Sequence, residues 1–193
     1  MLSWTVPSVG QWFVSAEGTR WWFDSGSIAL DFAYTGSMGT NPLWERWHAP
    51  EDMAQWLEER FGVRFRVTAS DLAATKRLRD AVAILVTRAA AGEAFPPATV
   101  ELLDDHAARP DVAPQLGRDP RPTLDQVLAG LAREAVVVLR DHADRIRECA
   151  AGDCQVIYLD TSRSGNRSWC SMMRCGNRNK VRQQRARQKR STK

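Results

Sequence analysis

The sequence predicts an α+β protein: a mainly helical body with a small N-terminal β-sheet, followed by a compact module built on cysteines. Three observations carry this. Helix-start signals and 3.6-residue apolar spacing recur between residues 50 and 144. Short aromatic runs separated by glycine turns fill the first 40 residues. All four cysteines fall between residues 149 and 175, and a basic run follows them. With 193 residues, 44% hydrophobic and 26% charged, the chain suits one ordinary domain plus a small one around a buried core. The expected division is a body over residues 1–144 and a module over 145–193.

In chain order, residues 12–14, 20–23 and 28–34 read as short strands, with turns at Ala16-Glu17-Gly18 and Ser25-Gly26-Ser27. Seven of the eight tryptophans (Trp4, Trp12, Trp21, Trp22, Trp44, Trp47 and Trp56) fall in the first 56 residues. An aromatic cage for a small ligand is one reading, and a packed aromatic core is the favoured one. Asp31 is expected to be structural, as a helix or turn cap, with lining of a body pocket as the alternative.

Pro50-Glu51-Asp52 opens a helix, with proline in the first turn and acids near the positive end of the dipole. Met53, Trp56, Leu57 and Phe61 mark its inner face, and Gly62 ends it. After an extended piece over 63–67, Thr68-x-x-Asp71 forms a capping box for a helix over 69–91 that stops at Gly92. Pro96-Pro97 starts another, through about residue 107. Residues 109–122, with four prolines, form a loop or a poor edge hairpin. Thr123-x-x-Gln126 then caps a strongly periodic helix expected to run to Asp144 and straight into the cysteine module.

The cysteines are spaced Cys149-x4-Cys154-x15-Cys170-x4-Cys175. Each pair flanks a turn able to point two sulfurs at one ion, and four thiolates in a tetrahedron are a common structural zinc site. Residues 155–160 alternate as a strand, 161–167 make a polar turn, and the return leads to Trp169 and Cys170 at the start of a terminal helix. Knuckle, hairpin and helix in that order give a treble-clef-like zinc finger. Two disulfides or an iron–sulfur cluster are the rivals. Zinc ranks above both, as one structural ion with no open coordination position. Arg167, Arg174 and Arg178 are near enough in sequence to offset the charge of the thiolates.

Trp169-Cys170-Ser171-Met172 followed by Cys175-Gly176-Asn177-Arg178-x-Lys180 resembles the CGNR zinc finger, as do Asp153-Cys154 and Leu159-Asp160-Thr161-Ser162-Arg163. The body resembles the ABATE domain that precedes this finger in stress-induced transcription regulators. Leu30-Asp31-Phe32, the Pro50-Glu51-Asp52 helix ending in Trp56-Leu57, and the Asp71-Leu72 helix with Leu78-Arg79 carry that likeness. The family tends to have Asn-Thr after Leu-Asp-Phe-x, where this chain has Tyr34-Thr35; Gln155 and Ser168 also depart from its pattern. The resemblance implies a regulator whose body senses a small-molecule effector or pairs subunits as a homodimer.

Residues 161–193 hold 11 basic side chains and no acid, whereas residues 1–160 hold 16 basic and 23 acidic ones. Such polarity points to a polyanionic partner. Arg174, Arg178, Arg182 and Arg185 would form one stripe on a helix, with Asn177 beside it and Lys180, Arg187 and Lys189 placed for phosphates. DNA is the expected partner. An RNA-binding or ribosome-associated adaptor is the alternative, though only Trp169 and Tyr158 stand near the helix in sequence to stack on bases, and a small-molecule-binding body tethered to nucleic acid is the third reading. No nucleophile motif, phosphate-binding glycine loop or open metal triad occurs, and His48, His106 and His142 are scattered, so no enzyme is expected. No signal-peptide pattern and no apolar run of about 20 residues is present, so the expected location is cytoplasmic, with the nucleoid if DNA is bound, and no membrane contact.

Overall fold

A computed structural model describes residues 8–14, 18–38, 44–112, 116 and 121–191, apart from the side chains of 186 and 189–191. Strands β1 (Gln11–Val14) and β2 (Arg20–Phe23) form an antiparallel hairpin. Gln11, Phe13, Trp21 and Phe23 share one face and pack inward, while Trp12, Val14, Arg20 and Trp22 stand on the exposed face. The next segment departs from expectation. Residues 28–34 were expected as a strand; Ile28–Ala33 is a helix, α1, buried on every side. An apolar run enclosed all round has no amphipathic period to tell strand from helix. Ser27 caps the N-terminus of α1, its hydroxyl accepting from the Ala29 amide.

Four longer helices follow: α2 (Pro50–Phe61), α3 (Ala69–Ala91), α4 (Pro97–Ala107) and α5 (Leu124–Asp141). Their starts are the expected ones. The Asp52 carboxylate accepts from the amides of His48 and Ala49, and both Thr68/Asp71 and Thr123/Gln126 form reciprocal capping boxes. Gly62 and Gly92 close α2 and α3 with φ of 66° and 68°, a left-handed conformation that a side chain resists. Residues 63–67 join no strand, and neither do the described residues of 109–122. The rest of that loop lies outside the described residues.

Helix α5 stops at Asp141, short of Asp144, and a 3-10 turn over Ala143–Arg145 leads into strand β3 (Ile146–Glu148). Strand β4 (Ile157–Leu159) pairs antiparallel with β3, Arg147 opposite Tyr158. The expected hairpin between 155–160 and the return to Trp169 is therefore corrected: the strand's partner lies upstream of the first cysteine. The knuckle itself is the hairpin turn, closed by the Cys149 amide donating to the Val156 carbonyl at 2.8 Å. The polar turn that follows is organised by Asp160, which accepts from the amides of Ser162 and Arg167. A wide π turn over Met172–Gly176 then opens helix α6 (Asn177–Ser191).

One continuous apolar core runs from Trp21 through the helices to Cys175, so body and finger share an interior. The Leu159 amide donates to the Ser25 carbonyl, and a Cβ on Gly26 would lie 2.3 Å from the Leu159 carbonyl oxygen. Tyr34 crosses the same seam: its hydroxyl donates to the Ile157 carbonyl at 2.9 Å and accepts from the Ile157 amide at 2.7 Å. Of the tryptophans, Trp21, Trp47 and Trp56 are core residues and Trp44 packs against them. Trp12 and Trp22 remain 49% and 43% exposed, and Trp4 lies outside the described residues.

Asp31 is fully buried and ties the N-terminal elements together. Its carboxylate accepts from the Gly10 amide at 2.6 Å and the Ser25 hydroxyl at 2.7 Å, with Arg60 at 3.5 Å. Burial outweighs these partners and lifts its pKa from 3.8 to about 6. The folded state then holds this proton more tightly than the unfolded chain, so the contribution of Asp31 to stability falls as pH rises from 3.8 to about 6. The full span corresponds to about 3 kcal/mol, of which about 1 kcal/mol lies between pH 5 and 7. The stability of the wild type minus that of Asp31→Asn should fall by that amount over the interval, and chemical denaturation at several pH values checks it.

Candidate metal centre and nucleic-acid face

The two cysteine pairs converge. Cys149 follows β3, Cys154 ends the knuckle, and Cys170 and Cys175 come from the return segment and the π turn. Their four sulfurs lie within 4.8 Å of one another, and all four residues are buried. Cys154 and Cys170 are 3.7 Å apart and Cys170 and Cys175 3.6 Å. Tetrahedral zinc with bonds of about 2.3 Å requires sulfurs about 3.8 Å apart. The donor set therefore fits one zinc ion, held by Cys149, Cys154, Cys170 and Cys175 in a closed structural site. Hydrogen bonds from the Cys154 and Cys170 thiols lower the pKa of Cys149 and raise their own.

Polar groups around the sulfurs position them further. The Cys170 amide points at the Cys149 sulfur at 3.4 Å, and Arg178 donates to the Cys175 sulfur at 3.3 Å. Of the three arginines expected to offset the thiolate charge, Arg178 alone touches a sulfur among the described residues. Arg167 covers the Tyr158 ring at 4.1 Å and bonds to the carbonyls of Asp24, Trp169 and Cys170. Arg174 lies over the Trp21 ring at 4.6 Å. At Gly176 a Cβ would press on Met172 at 3.0 Å and Trp169 at 3.4 Å, so glycine leaves room for both side chains beside it.

The expected arginine stripe is present on α6, and its first half is held by the protein itself. Arg178 and Arg182 both reach Asp153 in the knuckle, at 3.2 and 2.8 Å. The Asn177 amide donates to the Met173 carbonyl. Lys180, Arg185 and Arg187 are exposed, while the side chain of Lys189 lies outside the described residues. Asp153 was not singled out as an anchor of the helix, although it is the sole acid between the first two cysteines.

A groove of about 1590 Å³ separates α6 and the finger from the β1–β2 hairpin. Trp12, Arg20 and Trp22 line one wall, and Arg174, Arg178, Arg182 and Arg185 line the other. Sequence distance had left only Trp169 and Tyr158 beside the basic helix; the fold brings the hairpin tryptophans there too. Their signal in the sequence was slight, because 12–14 and 21–23 are apolar on both faces, and the hairpin register is what puts Trp12 and Trp22 side by side. Asp31, the other residue considered for a pocket, is not part of this groove.

Comparison with known families agrees with this geometry. The CGNR zinc finger model matches residues 145–188. The ABATE model, described as "Putative stress-induced transcription regulator", matches residues 26–142, more than half of the chain. The chain belongs to the ABATE family. No curated protein matches it. In this ABATE protein the hairpin β1–β2 lies outside both matched segments. No helix among its described residues is long and apolar enough to cross a membrane.

Proposed function

We propose that this ABATE protein is a non-enzymatic transcription regulator that binds duplex DNA through its zinc finger and the arginine face of α6. The observation that supports it is the helix itself: residues 177–191 carry no acid and start directly on the zinc-ligating turn. A short helix of like charges is a weak structure alone, so the metal and Asp153 supply its nucleus and direction. Arg178 and Arg182 share one carboxylate, which leaves the face positive. Arg185 and Asn177 offer base-edge donors, and Lys180 and Arg187 reach toward phosphates.

With about six phosphates neutralised, the log of the duplex affinity should fall against log salt with a slope near −5. A salt-independent complex, or none, contradicts the reading. A second reading takes RNA as the partner; the exposed Trp12 and Trp22 beside the arginines suit unpaired bases of either nucleic acid. Competition between duplex DNA and structured RNA separates the two.

A further inference from the structure

The outer face of the β1–β2 hairpin is built unlike an ordinary solvated surface. Trp12 and Trp22 are register partners, their rings 5.4 Å apart and 74° to each other in an edge-to-face pair. The Arg20 guanidinium covers Trp12 at 4.4 Å and braces it, and the Trp22 indole lies against Gly10, where a Cβ would clash at 2.5 Å. Tryptophans at this exposure are held in place without being buried. Met173, 84% exposed, adds apolar surface from the finger side of the same groove.

The charge on the walls selects the occupant. Among the described residues six arginines line the groove against one acid, Asp24, with Arg178 and Arg182 also paired to Asp153. An apolar peptide gains nothing from that field, and an acidic one does not need paired indoles. The volume of about 1590 Å³ also exceeds the roughly 300–1000 Å³ of ordinary small-molecule sites, which favours an extended ligand. Aromatic faces opposite a row of cations are how proteins hold unpaired nucleotide strands, bases on the rings and phosphates on the cations.

We infer that the hairpin is the second half of the nucleic-acid site, and that the groove takes an unpaired stretch of DNA adjoining the duplex on α6. Trp12 and Trp22 stack its bases; Arg20 and Arg185 meet its backbone from opposite walls. The inference rests on the DNA-binding reading and goes beyond it, because it names the strand state that the protein prefers and a binding wall outside the finger.

The test uses full-length zinc-loaded protein and fluorescence anisotropy with three probes: a blunt duplex, the same duplex with a short single-stranded DNA tail, and its RNA-tailed counterpart. The wild type should bind the DNA-tailed probe about tenfold more tightly than the blunt one. Trp12→Ala should remove that preference while leaving blunt-duplex affinity unchanged, and Trp12→Phe should restore part of it. Trp12 stands on the outer face, so circular dichroism should show an intact fold; Arg20→Gln, which removes both a backbone contact and the brace on Trp12, should also weaken the tail preference. Equal binding of the tailed probe by wild type and Trp12→Ala overturns the inference and leaves duplex binding standing. Tight tailed binding without blunt binding removes the duplex reading and overturns the inference with it, because no duplex then sits on α6. Preference for the RNA tail, or no binding to any probe, overturns the proposal.

Discussion

Cys175→Ser is expected to lose zinc, to unfold the finger and to abolish DNA binding together. A serine hydroxyl does not ionise at neutral pH, so the site drops to three thiolates, and structural zinc in finger peptides is worth about 10–16 kcal/mol of folding. The damage follows from where Cys175 sits. It is fully buried in the π turn that starts α6, with Arg178 on its sulfur. Without the ion, α6 loses its anchor, and Asp153 alone holds Arg178 and Arg182. The body should suffer as well, because the cysteines share one core with Trp21, Phe23 and Tyr34. Zinc content, far-ultraviolet circular dichroism and duplex anisotropy check the three effects, and a chelator should reproduce them in the wild type. A variant that loses zinc and keeps full affinity would show that the tail acts as a loose polycation.

Tyr34→Phe is the second large effect, at about 3 kcal/mol of lost stability. The phenol is 1% exposed and serves one backbone unit twice, as donor to the Ile157 carbonyl and acceptor from its amide. Removing the hydroxyl leaves both groups of Ile157 without this partner, and a buried polar group left unpaired costs about 1–3 kcal/mol. Burial pushes the Tyr34 pKa well above the ordinary phenol range, so the loss should not vary with pH near neutrality. Tyr34→Asn, the residue that the family resemblance places here, should cost more. It also removes a ring packed edge-on against Phe13 and Phe23 at 5.8 and 5.0 Å. Thermal unfolding measures the loss, and faster hydrogen exchange at the Ile157 amide would locate it at the seam. An unchanged midpoint would mean that water replaces the hydroxyl there.

The parts of the fold that could be read ahead of the structure were those set by local chemistry. Thr68 with Asp71 and Thr123 with Gln126 start helices because each side chain satisfies the other's backbone amide, a contact within four residues. Gly62 and Gly92 stop helices because the next turn needs a left-handed residue. Residues 28–33 were illegible for the opposite reason. Burial on all sides erases the pattern that tells helix from strand, and contacts from distant elements make the difference. The candidate site divides the same way. The four ligands were legible from spacing and turn composition, while the pairing of β4 with β3 depended on which neighbour the knuckle folds back upon.

The amino-acid sequence alone ranked zinc above its rivals and indicated the four cysteines, the helical body and the basic character of α6. These follow from residue type and short-range spacing, and no distant contact alters them. Only the tertiary structure decided how the basic helix is held and what it faces. Asp153 takes Arg178 and Arg182, and Trp21 takes Arg174 from more than 150 residues away. The shared core swings the β1–β2 hairpin beside α6 and joins Tyr34 to Ile157 across 123 positions. Charge and metal chemistry are properties of the residues themselves; a groove belongs to the packing of elements that the chain keeps far apart.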